Sequence, residues 1–294
     1  MERQGEWLLI RLSRETVKEL DGLNRLEMYL ANKLGIPTEY VGRMFKQQDI
    51  ERTGDRLRLR FFPIREFGFR PEWLPIDVLF EDDFCMVVNK PVGIPVHPTE
   101  SNGGGSLANA IAAYYEASAQ SCAVRHIHRL DEWTSGPVLY AKHAYAQYRL
   151  DQDMRDRLIK RVYVAIVEGI PQKAKGTIQA AIGKDRHMNG KRRVSSTGDH
   201  AVTHYELVES YTDASLLRLT LETGRTHQIR VHMSHIGHPI LGDKMYGGSD
   251  NLISHQALHG ESLGFQHPFD RREIHLQAEL PEHMKKLIDV LISK

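Results

Sequence analysis

The run Val162-Tyr163-Val164-Ala165-Ile166-Val167 constrains the fold of this chain most. β-Branched side chains are stiff at χ1 and suit a pleated surface. Six apolar residues in succession leave no face for water, and the run is shorter than a core helix. It predicts a buried strand.

From residue 76 other elements surround that strand. Val78-Leu79-Phe80 and Cys85-Met86-Val87-Val88 flank Glu81-Asp82-Asp83 and predict a hairpin. Asn102-Gly103-Gly104-Gly105 is a loop, after which Ser106 caps a helix carrying Leu107, Ala110, Ile111 and Tyr114 on one face. Helical period recurs over 144–158. A strand pair is expected over 202–208 and 216–221, turning at Thr212-Asp213. A helix over 226–236 is expected to be capped by Thr226 and ended by Gly237. Pro281 opens a last helix with Met284, Leu287, Ile288 and Leu291. Strands and helices do not alternate strictly, so the fold class is α+β rather than a doubly wound sheet.

The first seventy-two residues read differently. Leu23, Leu26, Met28, Tyr29 and Leu30 sit at helical spacing, and Thr38 is placed to cap a second helix with Tyr40, Val41, Met44 and Phe45. Arg56-Leu57-Arg58-Leu59-Arg60 alternates as a strand with one basic face. The aromatic and proline-containing segment 63–75 reads as a linker. These features divide the chain into a small N-terminal α/β segment, 1–72, and a larger domain, 73–294.

Lys and Arg number 39 against 38 Asp and Glu, a net charge of +1. Patches, not totals, bind phosphates, so this balance neither demands nor excludes a polyanion. No apolar stretch is long enough to span a membrane. The residues after Met1 lack the apolar core of a secretory signal, and Cys85 and Cys122 cannot make a disulfide framework. A cytoplasmic protein with reduced thiols is expected.

The densest polar segment is His126-Ile127-His128-Arg129-Leu130-Asp131-Glu132-Trp133-Thr134-Ser135-Gly136. It precedes Val138-Leu139-Tyr140-Ala141 and reads as a loop between strands, where function concentrates. Asp131 is placed to be a nucleophile, a base or a metal ligand, or merely to cap a turn with Thr134-Ser135-Gly136. In the 226–236 helix, Arg230 lies at the edge of the apolar face of Ile229, Met233 and Ile236. It needs a carboxylate there unless its head reaches water. His227, His232, His235 and His238 include no His-Glu-x-x-His pairing and no nearby cysteine, so hydrogen bonding and phosphate contacts are expected ahead of a metal. Of two basic stretches, Arg155, Arg157, Lys160 and Arg161 cluster where a helix meets a strand, while Lys184, Arg186, Lys191, Arg192 and Arg193 are either solvated charge or a phosphate track. The second is expected to be a mobile loop.

Four ordered motifs resemble the RluA/RluD-type pseudouridine synthases. His128-Arg129-Leu130-Asp131-x-x-Thr134-Ser135-Gly136 is similar to the family's signature. Asn89-Lys90-Pro91-x-Gly93-x-Pro95-Val96-His97-Pro98 resembles its upstream motif, and Lys160-Arg161-Val162-Tyr163-Val164-Ala165-x-Val167-x-Gly169 its tyrosine strand. Thr223-Gly224-Arg225-Thr226-His227-Gln228-Ile229-Arg230-Val231-His232, followed by Gly237-His238-Pro239-Ile240-x-Gly242-Asp243, resembles its arginine motif. The match covers about residues 76–280; Pro137 stands where the family has an aliphatic residue.

The resemblance implies a mixed, mainly antiparallel curved central sheet with flanking helices. It implies an isomerase that converts uridines in rRNA or tRNA to pseudouridine without cofactor or metal; a monomer is expected. Asp131 corresponds to the essential aspartate, Tyr163 to the base-stacking tyrosine and Arg230 to the arginine that pairs with the aspartate. Arg129 corresponds to an arginine that holds or replaces the flipped nucleotide. His128, Lys90, Lys191, Arg192 and Arg193 are expected to bind substrate or RNA. The first seventy residues are similar to a degenerate ribosomal-protein-like RNA-binding domain. Two other classes stand beside this one: a non-catalytic RNA-binding or ribosome-assembly protein on the same fold, and a metal-dependent hydrolase built on the histidine cluster.

Overall fold

The computed structural model describes residues 1–20, 23–98 and 103–293. Asn102 and the side chain of Leu23, both part of the expectations above, lie outside the described residues.

Strands β1 (Glu2–Gln4) and β2 (Trp7–Arg11) are followed by helices α1 (Arg14–Glu19), α2 (Leu23–Asn32) and α3 (Thr38–Gln47). Strands β3 (Ile50–Thr53) and β4 (Arg56–Leu59) then complete an antiparallel sheet of order β1-β2-β4-β3. Leu57 and Leu59 are buried between arginines, as the alternation predicts. Thr38 does not cap α3: Pro37 is its N-cap, with no side-chain hydrogen bond.

The segment after β4 has no helix or strand until β5 (Asp77–Glu81). It is not a free linker. Arg65 N–H donates to Ser121 O, Glu72 N–H to Asn109 O, and Phe67 O accepts from Val124 N–H, at 2.9–3.2 Å. Phe61 stacks on Tyr145 of the larger part at 4.5 Å between centroids, and one apolar cluster runs from Leu8 through Val87 to Phe265.

β5 pairs with β6 (Cys85–Lys90) as the expected hairpin. Helix α4 (Leu107–Ala117) begins at Ser106, whose hydroxyl and Asn109 form a capping box. Strands β7 (Arg125–His126) and β8 (Gly136–Ala141) complete an antiparallel sheet of order β5-β6-β8-β7. Pro137 lies in β8, opposite Asn89. Helix α5 (Ala144–Arg155) leads into β9 (Lys160–Glu168), the buried strand. Strands β10 (Lys175–Gln179), β11 (Ile182–Lys184), β12 (Arg192–Val194), β13 (Val202–Ser210) and β14 (Ala214–Leu221) follow, then α6 (Gln228–His235). Strands β15 (Leu258–Gln266) and β16 (Glu273–Gln277) precede α7 (Glu282–Ile292). The main sheet has order β10-β13-β14-β9-β15-β16, with every pairing antiparallel.

Two further elements differ from expectation. The basic 184–193 segment is not a free loop but the end of an antiparallel hairpin, with Lys184 in β11 paired to Arg192 in β12. Helix α6 starts at Gln228. Its N-cap is His227 in a left-handed conformation, not Thr226. The side chain of Gln228 instead organises the turn before it, accepting from Arg225 N–H at 3.0 Å and from the Thr223 hydroxyl at 2.7 Å. Among the described residues no helix is long and apolar enough to cross a membrane.

Candidate active site

The two sheets meet at two glycines. Gly136 has φ +126°, and a Cβ on it would lie 2.6 Å from Gly260 Cα. This close approach lets Gly260 N–H reach Ser135 O at 2.7 Å and joins β8 to β15. The loop carrying Asp131 ends at this junction, so its exit is fixed by backbone approach that only glycine permits.

Its other side is fixed by Lys90. This side chain is fully buried, and Nζ donates to Pro91 O, Ile94 O and Glu132 O, each at 2.8 Å. Three carbonyls match the three donors of an ammonium. Lys90 therefore corrects an expectation: it is a clamp between two loops, with no surface to offer RNA. Burial pushes it down to about 7, against the charges of Asp131 and Glu132.

Asp131 keeps 21% side-chain exposure and meets the arginine of α6. Arg230 Nη1 donates to Asp131 Oδ2 at 3.0 Å, while Nε and Nη2 donate to Asp243 at 2.7 and 2.9 Å. The ring of Tyr246 covers the guanidinium at 4.9 Å. Burial acts to lower this pKa, but the hydrogen bonds and charges of Asp243 and Asp131 outweigh it and raise it. Of the two readings left open for Arg230, the carboxylate partner holds. A second carboxylate, Asp243, was missed. The signal available was its place in Gly242-Asp243, close after an arginine that one carboxylate leaves with free donors.

His227 is a further neighbour, with Nε2 3.9 Å from Asp131 Oδ2. Arg192 N–H donates to the Tyr246 hydroxyl at 2.9 Å, and that hydroxyl lies 2.8 Å from His227 Nδ1. The hydroxyl is thus free to donate to Nδ1, which leaves the ring proton on Nε2, facing the carboxylate. Burial lowers the His227 pKa, with Asp131 opposing.

Asp131 and Tyr163 line one cavity of about 630 Å³. Burial raises the Tyr163 phenol above its ordinary value, so it stays protonated at neutral pH. Exposed Arg129 stands at the cavity wall. His128 is buried there: Nε2 accepts from Leu139 N–H at 3.2 Å, and burial together with Arg161 pushes the ring down to about 3. Arg155, Arg157 and Arg161, a basic stretch assigned no role above, also line this cavity. Lys191, Arg192 and Arg193 lie outside it on the β11–β12 hairpin, tied to the site through Tyr246.

The histidine cluster is not gathered on one ligand. His232 meets Thr203 and Ala180 O, His238 meets Glu168 O, and His227 faces Asp131. The one grouping with ligand spacing among the described residues is Asp82, Cys85 and His267, far from this site in the chain. There Asp82 already accepts from two backbone N–H groups and lies 2.9 Å from His267.

A part-buried Asp–Arg pair beside a tyrosine, in an arginine-lined cleft between antiparallel sheets, suits a flat group carried on a polyanion. The sequence model of RNA pseudouridylate synthases matches residues 84–235. A Bacillus subtilis protein described as uncharacterized RNA pseudouridine synthase YhcT is 44% identical over 240 residues, 81% of this chain and 80% of that one. The ribosomal large subunit pseudouridine synthase D of Escherichia coli O6:H1 is 39% identical over 240 residues, 77% of this chain and 73% of that one. The solved human RNA pseudouridylate synthase domain containing 4 aligns with TM-score 0.60 at 25% identity, covering 74% of this chain and 93% of that one.

The chain belongs to the RNA pseudouridylate synthase family. It is an isomerase that acts on uridine in RNA, and the non-catalytic reading is not favoured.

Proposed function

We propose that this chain isomerises a uridine of large-subunit ribosomal RNA, with Asp131 as the reacting carboxylate. The observation that carries this reading is the three-nitrogen hold of Arg230, which clamps Asp243 and presents Nη1 to Asp131. An adjacent guanidinium favours the carboxylate anion and fixes its direction. The ribosomal substrate is supported by the names of relatives such as the Escherichia coli protein.

A uridine in a helix cannot reach a carboxylate in this cleft, so the nucleotide is flipped out, at a few kcal/mol of unstacking. Tyr163 offsets that by stacking on the base, worth about 1–3 kcal/mol. Arg129, exposed at the wall, takes the place vacated in the RNA stack. Asp131 then acts on the ribose or the base: the N1–C1′ bond breaks, the uracil turns, and C5 joins C1′. C5 loses a proton and N1 gains one, so nothing is added or oxidised.

We propose a monomer, and ribosomal RNA as substrate supports a cytoplasmic location. Light scattering of the purified protein tests the first. Mapping pseudouridines in total RNA from cells lacking the gene, complemented with wild type, Asp131→Asn or Arg230→Lys, tests the rest. A site in large-subunit RNA should vanish and return only with wild type at full rate. A missing site in transfer RNA would move the substrate. Restoration by Asp131→Asn would remove the carboxylate from the reaction.

A further inference from the structure

Among the described residues, Arg161 is a charge without a protein partner. It lies on β9 two residues before Tyr163, so both side chains leave one face of the strand, about 6.6 Å apart along it. The residue is 8% exposed. Its guanidinium makes no hydrogen bond or ion pair with those residues, and Nε is a buried donor without an acceptor. A buried guanidinium needs an anion or strong acceptors, as Arg230 illustrates with two carboxylates.

A second orphan stands in the same wall. His128 Nε2 accepts from Leu139 N–H, so the neutral ring carries its proton on Nδ1. That Nδ1 is also buried without an acceptor. Both residues line the cavity that holds Asp131 and Tyr163. Gly224, in the same wall, packs close against the guanidinium: a Cβ there would lie 2.7 Å from Arg161 Nη1.

We propose that Arg161 and His128 take up the negative charge that develops on the uracil ring during isomerisation. This rests on the reading of the site given above. When N1–C1′ breaks, the bonding pair leaves with N1 and the charge spreads onto O2 and O4. C5 then bonds C1′ and releases its proton, while N1 takes one up. If the carboxylate adds to C6 first, the displaced pair runs through C5 to O4. On either route a ring oxygen becomes anionic in front of the tyrosine. Fixed donors stabilise such charge strongly, because they need no reorganisation as it appears. A backbone phosphate is the competing occupant of these donors.

Single-turnover rates at saturating RNA, with Kd measured over a range of salt, separate the two. Arg161→Gln should slow the step about 10²–10³-fold. Its Kd should stay within about twofold of wild type and its salt slope should be unchanged, with Arg161→Lys recovering part of the rate. Gly224→Ala keeps the guanidinium but displaces it, and should slow the step with the same unchanged Kd. Because Gly224→Ala retains Arg161, it decides the matter if Arg161→Gln fails to fold. A wild-type rate in these variants overturns the proposal. So does a weaker Kd with a salt slope reduced by about one and an unchanged saturated rate, which marks phosphate binding. Asp131→Asn serves as the reference. If it remains active the site reading itself fails; if it is inactive while Arg161→Gln is normal, only the role given to Arg161 and His128 fails.

Discussion

Asp243 grips Arg230 through two parallel hydrogen bonds, at 2.7 and 2.9 Å, and so decides which nitrogen is left for Asp131. Asp243 is nearly inaccessible, and its carboxylate has no role in the chemistry proposed above.

Replacing it therefore tests positioning. Asp243→Asn keeps the shape but removes the charge that holds the fork. A displacement of about 1 Å at a reacting group costs about 10²-fold in rate. We expect a decrease of that order in the single-turnover rate, RNA affinity close to wild type, and a stability loss of about 3 kcal/mol from breaking a buried pair. An unchanged rate would mean that Asp131 orients Arg230 without help.

Gly136→Ala should be severe for its size. The residue sits at φ +126° and its new methyl would meet Gly260 Cα at 2.6 Å. Left-handed strain of this kind costs about 1–3 kcal/mol, and the clash adds to it. Urea unfolding should show at least that loss. A midpoint within error of wild type would show that the two sheets part without penalty.

Stability should fall earlier in acid than carboxylates alone would require. Burial, helped by the charges of Arg125 and Arg3, pushes His143 down to about 3 from 6.5. The unfolded chain binds this proton first, so the contribution is complete above pH 6.5 and is lost as pH falls toward 3. The slope for one such group reaches about 1.4 kcal/mol per pH unit. His143 Nδ1 accepts from Ala146 N–H at the start of α5, a task asparagine also performs. His143→Asn should therefore keep the helix and flatten the urea-midpoint profile between pH 6.5 and 3; an unaltered profile would assign the acid sensitivity elsewhere.

Neutralising Lys191, Arg192 and Arg193 together should weaken RNA binding and flatten its salt dependence. Every phosphate that is no longer neutralised takes nearly one from the slope of log K against log salt. The hairpin that carries them is anchored by Arg192 N–H on the Tyr246 hydroxyl, so the backbone should keep its place. A salt slope equal to that of wild type would take the hairpin out of the interface.

Much of the fold is legible locally. The apolar run of β9, the hairpin β5–β6 and the Ser106 cap of α4 are all set by neighbours in the chain. Caps at Thr38 and Thr226 read wrongly because a suitable hydroxyl does not compel its use. Pro37 occupies the one N-cap, and Gln228 takes over the turn at the other. The hairpin β11–β12 is obscured by its charges, which say nothing about strand pairing.

The candidate site divides in the same way. Asp131, Tyr163 and Arg230 can be picked out by motif, and the period-two alternation of β9 already places Arg161 on the face of Tyr163. Lys90 cannot be read as buried, since its three acceptors come from loops 1 to 42 residues away.

The sequence by itself determined the elements, their order and the residue types the chemistry needs, because periodicity and turn residues act over a few positions. Only the tertiary structure decided which carboxylate braces Arg230, that Lys90 is a clamp, and that Arg161 has no partner among the described residues beside Tyr163. Those outcomes depend on sheet register and on the approach of Gly136 to Gly260, where distant backbone meets and burial makes each unpaired charge costly.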